Sequence, residues 1–99
     1  MEERNKLILL YDYYKELLND SQKEYFEAYY FDNLSLAEIA EKSNVSRNAV
    51  HKQIKSSIEK LEFFEEKLNI INKHNEIKKE LEKIRDENIK QRITEIIES

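Results

Sequence analysis

The sequence predicts an all-α protein, and three observations carry that prediction. No Gly and no Pro occurs in 99 residues, so the usual hairpin and helix-stop residues are missing while Leu, Glu, Lys, Ile and Ala favour helix. Apolar residues recur at three- and four-residue steps along most of the chain, the period of a helix that buries one face. Two Ser-x-x-Glu pairs stand before such runs, at the spacing where hydroxyl and carboxylate satisfy each other's unpaired backbone donors at a helix start. The length fits one modest core with one protruding element.

The first helix is predicted from Glu3 to Leu18, with Leu7, Leu10, Tyr11, Tyr14, Leu17 and Leu18 inward and Asn19 and Asp20 at its end. Ser21 with Glu24 opens a second helix to about Phe31, faced by Tyr25, Phe26, Tyr29 and Tyr30, and Asp32 and Asn33 break it. Ser35 with Glu38 opens a short third helix that turns Leu36, Ile39 and Ala40 inward and stops near Lys42. Ser43 to Ser46 then reads as a turn, because Asn44 tolerates left-handed backbone and Ser46 is a good N-cap. A fourth helix starts at Arg47 with Val50, Ile54, Ile58 and Leu61 on one stripe, and Phe63, Phe64 and Leu68 continue its apolar surface. With no Trp, the Tyr and Phe residues at helical spacing are read as packed core rather than as exposed stacking platforms.

Asn69 to Asn75 is polar enough to bend. From Glu76 to Ser99 a long C-terminal helix is predicted, with Ile77, Leu81, Ile84 and Asn88 forming a coiled-coil seam. Ile89, Ile93 and Ile96 lie on a second, displaced stripe, so this helix either bends or contacts different partners along its length. The expected organisation is a helical bundle over residues 1–70, containing a helix-turn-helix at 34–61, and a C-terminal helix over 71–99 that joins two copies in a homodimer.

The formal net charge is −4, but Arg47, Lys52, Lys55 and Lys60 face only Glu59 between Arg47 and Lys60, so this stretch carries +3 and the remainder −7. One helix is positive in an acidic protein. A helix-turn-helix needs a small residue where its helices cross, a backbone-tolerant turn and apolar anchors beneath the second helix. Ala40, Asn44 with Val45 as a buried plug, and Val50 with Ile54 supply these. The opposite face then presents Arg47, Asn48, His51, Lys52 and Lys55, with Ser46 and Ser56 beside them. Arg47, Asn48 and His51 suit base edges in a major groove. Lys52 and Lys55 suit phosphate, and Ser46 at the helix start can hold another.

The stretch SLAEIAEKSNVSRNAVHKQIKSSIEKL resembles the helix-turn-helix of region 4 of bacterial sigma factors. The wider run YDYYKELLNDSQKEYFEAYYFDNLSLAEIAEKSNVSRNAV through FFEEKL, about residues 7 to 70, resembles the YlxM family, small helix-turn-helix proteins encoded beside signal recognition particle genes. The resemblance implies a sigma-region-4-like fold, a tendency to dimerise and a regulatory role in the signal recognition particle pathway. It places the recognition positions on Ser46, Arg47, Asn48, Val50, His51, Lys52, Ile54 and Lys55. Ser21 stands where relatives often have Pro and Ser56 where a base is common.

Other classes find little support. His51 and His74 fall on different elements, and no Cys, Gly-rich phosphate loop or Ser-His-Asp set can be assembled, so neither an enzyme nor a metal, cofactor or small-molecule substrate is expected. The longest apolar run, Leu7 to Tyr11, is too short for a signal peptide or membrane span, and the lack of Cys suits a reducing compartment. A cytoplasmic nucleic-acid-binding regulator is expected, with DNA preferred over RNA. An alternative is an interaction protein that holds the targeting particle or RNA polymerase without touching nucleic acid. Paired basic helices about 34 Å apart in a dimer would match one turn of DNA.

Overall fold

The computed structural model describes residues 3–99, and every regular element among them is helical. The helices are α1 (Arg4–Tyr14), extended by a 3-10 turn at Lys15–Leu17, α2 (Asp20–Tyr30), α3 (Leu36–Ser43), α4 (Arg47–Leu68), α5 (Ile70–Leu81) and α6 (Glu87–Glu98). They form two compact units, one ending at Lys67 and the other spanning Leu68–Ser99.

In the first unit, α1 and α2 meet through a stack of Tyr11 on Phe26, with ring centroids 4.4 Å apart and planes 6° from parallel. The Tyr11 hydroxyl donates to Glu27. On the other side of α1, Tyr14 packs near Phe64 and donates to Glu65, which ties α1 to the C-terminal half of α4. Leu7, Phe26, Ile39, Val50, Ile54 and Leu61 are buried in the same core. Removing an apolar side chain of that size from a packed core costs about 2–5 kcal/mol.

Three sequence expectations change here. The second helix is capped by Asn19 and Gln22, each side chain accepting from the other's backbone N–H, whereas Ser21 lies inside the first turn. Asn and Gln do the work expected of Ser21 and Glu24 because an amide oxygen accepts as a hydroxyl or carboxylate does. Leu17 is exposed, since the 3-10 turn rotates it off the buried face and brings in Leu18 instead. Phe63 is 52% exposed and lies beneath the Lys67 ammonium, so it is not core.

The second unit departs most. Residues 71–99 do not form one long helix: α5 ends at Leu81, and α6 begins afresh at Asp86, whose carboxylate accepts from the N–H groups of Asn88 and Ile89. The predicted seam is thereby cut, with Leu81 buried, Ile84 in the turn, and Ile77 and Asn88 exposed. A carboxylate at an N-cap stabilises a helix start by about 1 kcal/mol, and the break falls where the apolar stripe changes phase. Asn69, with φ 57°, makes the connection between α4 and α5 as a single left-handed residue.

Candidate nucleic-acid interface

The short helix α3 is fixed at both ends. Ser35 and Glu38 form the capping box their spacing predicts. The backbone N–H of Ser35 and, after it, the Ser35 hydroxyl hold the Glu38 carboxyl below the usual carboxylate range. At the other end Asn44 is left-handed, with φ 56° and ψ 46°. Its N–H reaches the Ala40 and Glu41 carbonyls, and the Val45 N–H reaches Ala40 at 3.0 Å. That is a Schellman closure, which satisfies the last carbonyls of α3 and sets the direction of the chain into α4. Val45 is 41% exposed rather than a buried plug: the backbone bonds close the turn without needing its side chain. Ala40 is buried.

Ser46 caps α4, its Oγ accepting from the Ala49 N–H at 3.0 Å. The capping bond uses Oγ as acceptor and leaves its O–H able to donate. Beneath, Val50, Ile54, Ser57 and Leu61 are buried at three- and four-residue steps. That burial fixes the rotation of the helix, so Ser46, Arg47, Asn48, His51, Lys52 and Lys55 all emerge exposed over its first turns. The six residues singled out from the sequence therefore share one exposed region. Val50 and Ile54, named with them through the resemblance, are buried anchors.

Two neighbours point elsewhere. Ser56 accepts from the Gln22 Nε2 at 3.4 Å, and the Lys60 ammonium donates to the Gln22 Oε1 at 3.3 Å. Gln22 is itself buried on α2, so Ser56 and Lys60 join α4 to the scaffold instead of flanking the exposed bases. A feature the sequence did not reveal lies on the same side of α4: a groove of about 370 Å³ lined by Leu36, Ile54 and Ile58 with His51, Lys55, Glu59 and Glu62 at its edges. Its one sequence signal is Ile58, an apolar residue at the margin of the buried stripe. Among the described residues no group of three or more His, Asp or Glu side chains could hold a metal ion, and no helix is long and apolar enough to cross a membrane.

A short capped helix, a left-handed turn and a second helix anchored by one face with a polar, basic start on the other define a helix-turn-helix protein. The chain belongs to the family described as "Putative helix-turn-helix protein, YlxM / p13 like", whose model matches residues 1–99. That match extends beyond residues 7 to 70, the span of the sequence resemblance, to the end of the tail. Among its relatives, a UPF0122 protein of Caldanaerobacter subterraneus is 46% identical over 80 residues, covering 81% of this chain and 68% of its own. One from Thermoanaerobacter sp. is 47% identical over 79 residues, covering 80% and 68%, and one from Listeria innocua is 46% identical over 78, covering 79% and 71%.

Proposed function

We propose that this chain is a cytoplasmic regulatory protein that binds nucleic acid, DNA ahead of RNA, through α3 and the start of α4. The observation that carries the reading is the common exposure of Ser46, Arg47, Asn48, His51, Lys52 and Lys55 on a helix whose opposite face is locked into the core. Arg47, Asn48 and His51 supply donors and acceptors for base edges. Lys52 and Lys55 supply charge for phosphate, and Ser46 adds a hydroxyl at a helix N-terminus. Self-association through the C-terminal unit fits the exposed isoleucines of α6, and a regulatory link to the signal recognition particle pathway extends the reading to the family's setting.

Selection of bound fragments from a genomic library, with the unmodified protein, tests it. Enrichment of discrete sequences is expected, and the paired substitutions Arg47→Glu and Lys52→Glu should abolish it with helicity intact. A library that returns no enriched DNA or RNA overturns the proposal. The −7 carried outside the basic stretch favours a second reading, in which the protein holds the targeting particle or RNA polymerase directly. Partners recovered after nuclease treatment would select that reading.

A further inference from the structure

We propose that the groove between α3 and α4 seats α6 of a second copy of this chain, and that the seated helix covers part of the surface assigned to nucleic acid. The first half stands on the groove and α6 alone, and the second rests on the proposed function.

The groove has an apolar floor, Leu36, Ile54 and Ile58, and a graded rim. His51 and Lys55 lie toward the start of α4, and Glu59 and Glu62 lie further along it. From His51 to Glu62 the helix advances roughly 16 Å. The helix α6 is the complementary shape. Ile89, Ile93, Ile96 and Ile97 fall on one face at helical spacing, none of them is buried, and Ile96 is 73% exposed. That face runs about 12 Å from Ile89 to Ile97, within the length of α4 that the groove spans. An apolar stripe left this open on a 12-residue helix is the signature of a docking element.

Charge complementarity between the flanks of α6 and the acidic end of the groove favours this occupant and sets its direction. At 100° per residue Lys90 and Arg92 flank the isoleucine face on its two sides, while Glu95 and Glu98 lie on the opposite side of the helix. Laid antiparallel to α4, α6 brings Lys90 and Arg92 to the end of the groove that holds Glu59 and Glu62. In that direction the two helix dipoles also oppose favourably. A parallel pair of α6 helices would set Lys90 and Arg92 against the same two cations across an apolar seam, which disfavours it. An antiparallel pair escapes that repulsion but gives the two cations no acidic rim, and symmetric linkage through α6 is its signature. In the groove, the partner helix lies over His51 and Lys55. A copy occupied in this way presents Ser46, Arg47, Asn48 and Lys52 only, so self-association and nucleic-acid binding compete for one face.

The protein contains no Cys, so introduced thiols report directly. Chains bearing Ile58→Cys alone and chains bearing Ile93→Cys alone are mixed and oxidised mildly, with Leu36→Cys as a second groove position should Ile58→Cys fail to fold. The expected product is a mixed disulfide between the two kinds of chain, in several-fold excess over either symmetric product. Predominant symmetric linkage through Ile93→Cys, or no linkage, overturns the seat. A chain carrying both substitutions that closes on itself as a monomer overturns the second copy as occupant. Charge reversal at Glu59→Lys with Glu62→Lys, or at Lys90→Glu with Arg92→Glu, should each weaken self-association in sedimentation at least tenfold, and combining all four should restore it. Unchanged sedimentation of the folded variants overturns the charge argument. Duplex DNA selected by the protein should lower the mixed disulfide several-fold. A yield indifferent to DNA that is bound overturns the competition and leaves the seat standing, whereas failure to bind any DNA removes the nucleic-acid reading without touching the cross-link.

Discussion

At Asn44 the chain meets a problem that its lack of glycine creates. A left-handed residue carrying a Cβ costs about 1–2 kcal/mol, yet the turn between α3 and α4 needs one. The chain places Asn there and at the other positive-φ positions, Asn33 and Asn69, because a short amide side chain can bond locally and lower that cost. Asn44→Gly should therefore keep or raise the melting temperature, whereas Asn44→Ala should lower stability by about 1 kcal/mol, or roughly 4–8 °C for a domain of this size. Thermal denaturation followed by circular dichroism reads both. Glu38 sets a second test. Its folded carboxyl titrates below the ordinary value of 4.5 because the Ser35 backbone and hydroxyl donate to it. The stability it contributes is present above that ordinary value and is lost as pH falls through the folded one. Glu38→Gln keeps a capping acceptor but cannot titrate, so its stability, measured by urea denaturation, should fall less steeply below pH 4.5 than that of the parent.

Where α1 meets α2, the same logic runs toward alkaline pH. Burial, then the bond to Glu27 and the nearby charges of Glu27, Glu16 and Asp12, push the Tyr11 phenol above its ordinary value of 10.0. A raised phenol contributes stability that is fully present below that ordinary value and is lost as pH rises toward the folded one. Tyr11→Phe keeps the stack on Phe26 but removes the hydroxyl, so it should cost about 1 kcal/mol at neutral pH and flatten the decline above pH 10. Chemical denaturation across that range decides. Elements differ in how openly the sequence states them. The α3–turn–α4 unit was legible because Ser35, Glu38, Asn44 and Ser46 each have one strong local preference, and the structure uses all of them. The start of α2 was misplaced because Asn19, Ser21, Gln22 and Glu24 offer two overlapping capping pairs, and side-chain chemistry alone does not rank them. The division of residues 71–99 into two helices was legible only as a slip of phase, for a different reason. Leu81, Ile84 and Asn88 keep helical spacing straight through the turn, and the break rests on Asp86, one acid among many in a charged segment. The groove was hidden because it joins Leu36 to Ile58 across two helices, a relation that no local period encodes.

For the molecule as a whole, the balance of charge decides what kind of nucleic-acid binding is possible. A stretch of +3 set in a remainder of −7 cannot hold phosphate by bulk attraction, since the net field repels a polyanion. Contact has to come from a few cations placed at short range, where screening by salt at about 8–10 Å spares them less than it spares buried pairs. Such binding should be weak on unrelated sequences and should fall with salt at a slope set by very few phosphates, each contributing about 0.9 to the log–log plot. Lys52→Ala should then reduce that slope by about 0.9 and weaken all duplexes alike. Arg47→Ala should act differently, costing about 1–3 kcal/mol against the preferred sequence and much less against others. Fluorescence anisotropy on a selected and a scrambled duplex, each titrated with salt, separates the two effects. Equal losses on both duplexes for Arg47→Ala would remove it from base contact, and an unchanged slope for Lys52→Ala would remove that residue from the phosphate. If both held together, Arg47 would move to the phosphate and Lys52 off the interface, which leaves Asn48 and His51 to carry base readout.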